Sequence, residues 1–147
     1  RRALGWWQTM DNREKYEHWR DTAVYDLETA DAMMLSGRYL YVVFMCQQAV
    51  EKLAKGLYVL HKGEEPPRIH NRWKVFGRTF DIQTFDEQTR ERLEEYYSTF
   101  DELLAYYISE RYPSYKSVLS QSITAEKAGE VLCKTKEVFS WLESLGK

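Results

Sequence analysis

The stretch from Tyr39 to Leu60 most constrains what this chain can fold into. Its opening, Tyr39-Leu-Tyr-Val-Val-Phe-Met45, is apolar on every side. Val43, Cys46, Val50, Leu53, Leu57 and Leu60 then recur three or four residues apart, the spacing of one helical face. The remaining faces carry Gln47, Gln48, Glu51, Lys52 and Lys55. A helix that is apolar all round at one end must be covered by more than one neighbour. The segment therefore reads as the central helix of a bundle, with a polar edge near its middle.

The flanking sequence supplies the neighbours. From about Asp11 to Leu35 the series Tyr16, Trp19, Ala23, Leu27, Ala30, Met34 marks a first long amphipathic helix, with Asp11 or Asn12 as its cap. Ser36-Gly37 ends it, and so short a turn forces the next helix, about residues 38–61, to run antiparallel. Gly63 closes that helix, and Glu64-Glu-Pro-Pro-Arg68 breaks the pattern because consecutive prolines cannot continue it. Ile69, Trp73 and Phe76 predict a short helix ending at Gly77. Asp86 caps a third long helix over about 87–109, with Leu93, Tyr96, Phe100, Leu103 and Tyr107 on its stripe. Arg111-Tyr-Pro-Ser114 stops it, and a loop runs through Gln121. Thr124 caps the last helix, striped by Ala128, Val131, Thr135, Val138, Leu142 and Leu145. No segment alternates with period two. The expected fold is all-α: an antiparallel up-and-down four-helix bundle, with a short extra helix in the connection between the second and third long helices. That connection, about 25 residues, is of the length that is usually functional or structured in itself. Residues 1–9 do not fit the first stripe and read as an N-terminal extension, which leaves 10–147 as a single domain.

Composition narrows the class. With 21 basic and 23 acidic residues the net charge is −2, which speaks against a general binder of phosphate backbones. No apolar run approaches the roughly 20 residues that cross a bilayer. Nor does the start, Arg1-Arg-Ala-Leu-Gly-Trp-Trp7, have the apolar core of a secretory signal, so the sequence reads as cytoplasmic, without membrane contact. Cys46 and Cys133 are expected to be core thiols in a reducing compartment. The abundance of tyrosine and tryptophan, eleven and five, favours a subunit interface.

No motif establishes a catalytic chemistry. His18, His61 and His70 are the only histidines, and none has a partner at metal-ligand spacing; His18 and His61 fall on polar faces and are expected to be solvated. No cofactor is indicated. Arg68, His70, Arg72, Lys74 and Arg78 make a locally basic segment around Trp73 and Phe76, which suits a solvated short helix first and an acidic partner or nucleic acid second. Arg111-Tyr-Pro-Ser-Tyr-Lys116 places an arginine and a lysine beside two rings at a helix end. Such a set can hold a phosphate and stack a base, or it can simply terminate the helix.

Taken together, several of these pieces resemble the HEPN domain family of prokaryotic helical bundles, from about Tyr16 to Leu145. The matching stretches are Trp19, Tyr25-Asp-Leu-Glu-Thr-Ala30, Ser36-Gly-Arg-Tyr39, Cys46-Gln-Gln-Ala-Val-Glu-Lys-Leu-Ala-Lys-Gly-Leu57, Gly63-Glu-Glu-Pro-Pro-Arg-Ile-His70 and Ser109-Glu-Arg-Tyr-Pro113. The resemblance implies a bundle that forms a homodimer and binds a nucleotide or nucleic acid. It also implies a separate nucleotidyltransferase partner, in a toxin–antitoxin-like pair. Some members of the family are metal-independent ribonucleases, marked by an arginine and a histidine with four to six residues between them. Arg111 matches that arginine, but Lys116, Ser117 and Val118 stand where the histidine would be. Histidine is the side chain best suited to moving a proton near neutral pH, so its absence speaks against catalysis. The resulting expectation is a non-catalytic binding module. Its site combines Arg111, Tyr112, Tyr115 and Lys116 with Gln48, Glu51 and Lys52 of the second long helix. The alternatives are a divergent ribonuclease, in which Tyr112, Tyr115 or Lys116 replaces the histidine, and a purely structural interaction module.

Overall fold

The computed structural model describes residues 2–66, 86–110 and 121–147. Its helices are α1 (Arg2–Gln8), α2 (Asn12–Leu35), α3 (Tyr39–Lys62), α4 (Glu87–Glu110) and α5 (Ala125–Ser144). There is no strand among the described residues. Gln121 and Ser122 are helical as well, where loop was expected. The short helix expected around Ile69, Trp73 and Phe76 lies outside the described residues.

The helix ends follow from local chemistry. Asp11 caps α2 in a reciprocal box: its Oδ1 accepts from the Glu14 amide at 2.8 Å, and the Glu14 carboxylate accepts from the Asp11 amide at 3.4 Å. Gly37 and Gly63, which follow α2 and α3, have φ of 73° and 70°. That left-handed conformation penalises any residue with a Cβ. Asp86 accepts from the Thr89 amide at 2.8 Å, and Thr124 from the Lys127 amide at 3.1 Å. The bond to Thr89 holds the Asp86 carboxyl below its ordinary range.

α3 is the centre of the bundle and packs against α2, α4 and α5. Leu40, Val42, Val43, Phe44, Cys46, Val50, Leu53 and Leu57 are all buried in one core. Burial pushes the Cys46 thiol up to about 12, against the opposing effect of the Thr135 hydroxyl, so this cysteine is an inert core group. α2 pairs antiparallel with α3, since Lys15 meets Glu65 near one end of the hairpin and Asp26 meets Lys52 further along. It is antiparallel to α5 as well, where Arg20 meets Glu143 and Asp31 meets Lys136. From α4, Tyr96 is buried against Trp141, their rings 5.3 Å apart. The side chains of Leu93, Phe100, Leu103 and Tyr107 lie outside the described set.

The expectation for Cys133 changes. Cys133 is exposed, not a core thiol. It lies two residues from both Val131 and Thr135, about 200° around the helix from each, and so turns away from the stripe they define. Residues 2–8 form α1, which lies against α2. Trp6 and Trp7 are held there by ring contacts to His18, with centroids 5.1 and 5.7 Å away; His18 is exposed, as expected, and meets the two rings on one side.

The tightest helix crossing is at Gly56. A Cβ there would come within 2.8 Å of the Trp19 Cβ and 3.3 Å of the Tyr16 carbonyl oxygen, neither of which is the end of a flexible chain. Gly56→Ala gains roughly 1 kcal/mol of helix propensity and loses about 1–3 kcal/mol to overpacking. Net destabilisation of up to about 2 kcal/mol in urea unfolding is the expected outcome. A more stable variant would show that α2 and α3 cross less closely than described.

Candidate functional site

The polar edge of α3 comprises two separate arrangements. The first follows one face of the helix at four-residue spacing. Gln48 Nε2 donates to Gln47 Oε1 at 2.8 Å, and Gln47 Nε2 donates to Glu51 Oε2 at 2.9 Å. Lys55 Nζ donates to the other Glu51 oxygen at 2.9 Å. Gln47 and Glu51 are both buried, at 3 % and 7 % exposure. A carboxylate so far from water is tolerated because a cation and an amide reach its two oxygens. Lys55 also lies 5.5 Å from the Trp19 ring centroid, a cation–π contact that carries the line from α3 to α2. The Trp19 indole N–H is buried and has no partner among the described residues. The line therefore ends beside an open donor.

The second arrangement lies on the adjoining face. Lys52 Nζ donates to Asp26 Oδ2 at 2.6 Å, joining α3 to α2 in a partly buried ion pair. Short, charge-assisted bonds of this kind are stronger than neutral ones.

Of the residues expected at the site, Gln48, Glu51 and Lys52 are described and belong to these two arrangements. Arg111, Tyr112, Tyr115 and Lys116 lie outside the described residues. Sequence reading did not single out Gln47, Lys55, Trp19 and Asp26 as partners. A signal for two of them existed: Gln47, Glu51 and Lys55 are four residues apart, so a donor, an acid and a base share one face. Asp26 pairs with Lys52 only through the register of the α2–α3 hairpin, which the short turn at Ser36–Gly37 determines.

Among the described residues no group of three or more histidine, cysteine, aspartate or glutamate side chains is placed to hold a metal ion. No described helix is long and apolar enough to cross a membrane.

A family model, the HEPN domain, matches residues 16–145, and the chain belongs to the HEPN family. That membership makes it, in general terms, a nucleotide- or RNA-related module. No curated protein and no solved structure matches it.

Truncating the acid distinguishes support from ligand contact. Glu51→Ala strips a buried amide and a lysine of their acceptor, so the expected loss is about 1–3 kcal/mol in urea unfolding. Glu51→Gln keeps a hydrogen-bonding side chain and should lose less. A Glu51→Ala protein as stable as wild type would mean that the carboxylate is not needed to hold the bundle and stands free for a ligand.

Proposed function

We propose that this chain is a non-catalytic HEPN module that binds a nucleotide or nucleic acid as a homodimer. It works beside a separate nucleotidyltransferase chain in a toxin–antitoxin-like pair. The observation that carries the reading is the sequence after Arg111. The family's arginine is present, while Lys116, Ser117 and Val118 occupy the places of its histidine. Binding needs only a guanidinium for phosphate and rings for a base, and Arg111, Tyr112, Tyr115 and Lys116 offer both. Gln48, Glu51 and Lys52 contribute the polar edge of α3 to the same site, with Glu51 orienting Arg111 instead of touching ligand. Residual ribonuclease activity, with Tyr112, Tyr115 or Lys116 in place of histidine, is the enzymatic alternative.

A structural reading has one observation in its favour. Glu51 and Lys52 already form ion pairs with Lys55 and Asp26. Charges used in this way hold helices together whether or not a ligand is present.

Calorimetric titration of nucleotides and short RNAs against wild type and Arg111→Ala separates these readings. Binding that weakens in the variant, and whose salt dependence flattens with the loss of a phosphate contact, is expected. Arg111→Ala should leave the fold unchanged. If wild type binds no nucleotide or RNA at millimolar concentration and the variant mainly melts earlier, Arg111 is a structural helix-end residue. Incubation with mixed RNA in the absence of metal should leave the RNA intact; cleavage would establish the enzymatic alternative. In light scattering a particle of about twice the 17.6 kDa chain mass is expected at micromolar concentration, and a monomer would remove the dimer from the proposal.

A further inference from the structure

α1 lies ahead of the segment that matches the HEPN family, and it does not simply trail from the bundle. Trp7 packs edge-to-face on Trp19 with centroids 6.4 Å apart, and both Trp6 and Trp7 pack on His18. The Trp7 indole N–H donates to Glu65 Oε1 at 2.9 Å. Lys15 Nζ donates to the same oxygen at 3.1 Å and stands 5.6 Å from the Trp7 ring centroid. One carboxylate oxygen thus takes one donor from α1 and one from α2. Glu65 itself belongs to neither helix; it sits two residues past the Gly63 cap of α3, where the long connection begins.

We propose that α1 is a strap with a latch at Glu65, whose closure fixes the start of the long connection against α2. The tryptophan rings supply most of the attachment, because an ion pair whose carboxylate is 57 % exposed, as in Lys15–Glu65, is worth little by itself. The indole N–H gives it direction, since a tryptophan without its donor could pack on His18 and Trp19 equally well and leave Glu65 held by Lys15 of α2 alone. The strap thereby couples the N-terminal segment to the stretch leading into Arg68, His70, Arg72, Lys74 and Arg78, the most basic run of the sequence. By reciprocity, whatever draws α1 away loosens the start of that connection, and whatever fixes the connection tightens α1.

Amide hydrogen exchange on the full chain tests the coupling. Trp7→Phe keeps a ring and removes the donor, and Glu65→Ala removes the acceptor at an exposed position. Each variant should speed exchange roughly fivefold or more both in α1 and at Gly63, whose amide bonds to the Val59 carbonyl. Protection at Val50–Leu57 should stay as in wild type. The decisive result is that of Glu65→Ala at α1, since the changed residue is far away in sequence. If that variant leaves α1 exchange unchanged, or if Trp7→Phe speeds exchange in α1 but not at Gly63, the latch does not exist. If either variant lowers protection across the whole of α3, α1 is part of the core and not a separable strap.

Discussion

A buried negative charge on the central helix is the constraint around which the rest of the structure is arranged. α3 is covered on nearly all sides, and Glu51 lies near the middle of it. In a low-dielectric interior a carboxylate without partners is costly. Gln47 and Lys55 offset that cost by satisfying its two oxygens from the same helix. Lys55 in turn needs a place for its own charge, and the face of Trp19 provides it. Trp19 can stand so close because Gly56, next to Lys55, has no side chain. The Glu-Lys-Leu-Ala-Lys-Gly run is thus a set of linked requirements: an acid, the base that neutralises it, and the gap that admits the ring covering the base.

The same chain of contacts continues to the edge of the molecule. Trp19 meets Trp7, and Trp7 meets Glu65. A polar group at the bundle centre and the start of the long connection are therefore joined through side chains of α3, α2 and α1 in turn. Such a series does not by itself transmit a signal, because coupling needs an element with two arrangements. α1 is the element best suited to that part. It is short, its Trp6 is about half exposed, and its attachment depends on a few rings and one carboxylate oxygen.

The long helices could be read from the sequence because their signals are local. Three-and-four spacing fixes which face is buried, and Asp11, Thr124, Gly37 and Gly63 mark the ends by requirements a single residue meets. Cys133 shows the limit of that reading: it sits inside a striped helix, and only its angle about the axis reveals that it points outward. α1 was missed because seven residues are too few to establish a period, and its tryptophans have meaning only against His18, Trp19 and Glu65. Of the site, Glu51 and Lys52 stood out as polar residues on an apolar helix. Their actual partners depend on rotamer for Lys55 and on hairpin register for Asp26, and neither is written in any one stretch of sequence.

That division bears on how function is built into this bundle. Lys52, Lys55 and Gly56 of α3 are bound up with holding α2 and α3 together, so they cannot be altered freely to create a new site. A ligand edge must then draw its variable chemistry from groups that the core does not need. In the proposed site that chemistry comes from Arg111, Tyr112, Tyr115 and Lys116, which form one short run of the sequence after Glu110. On the proposed reading, proton-transfer chemistry in that run can change while the bonds that Gln47 and Lys55 make to Glu51 within α3 stay as they are. The opposite change, a loss at Glu51 or Gly56, would damage the scaffold before it touched the chemistry. On that reading, the groups that hold the bundle together and the groups that meet a ligand are different residues of the same domain.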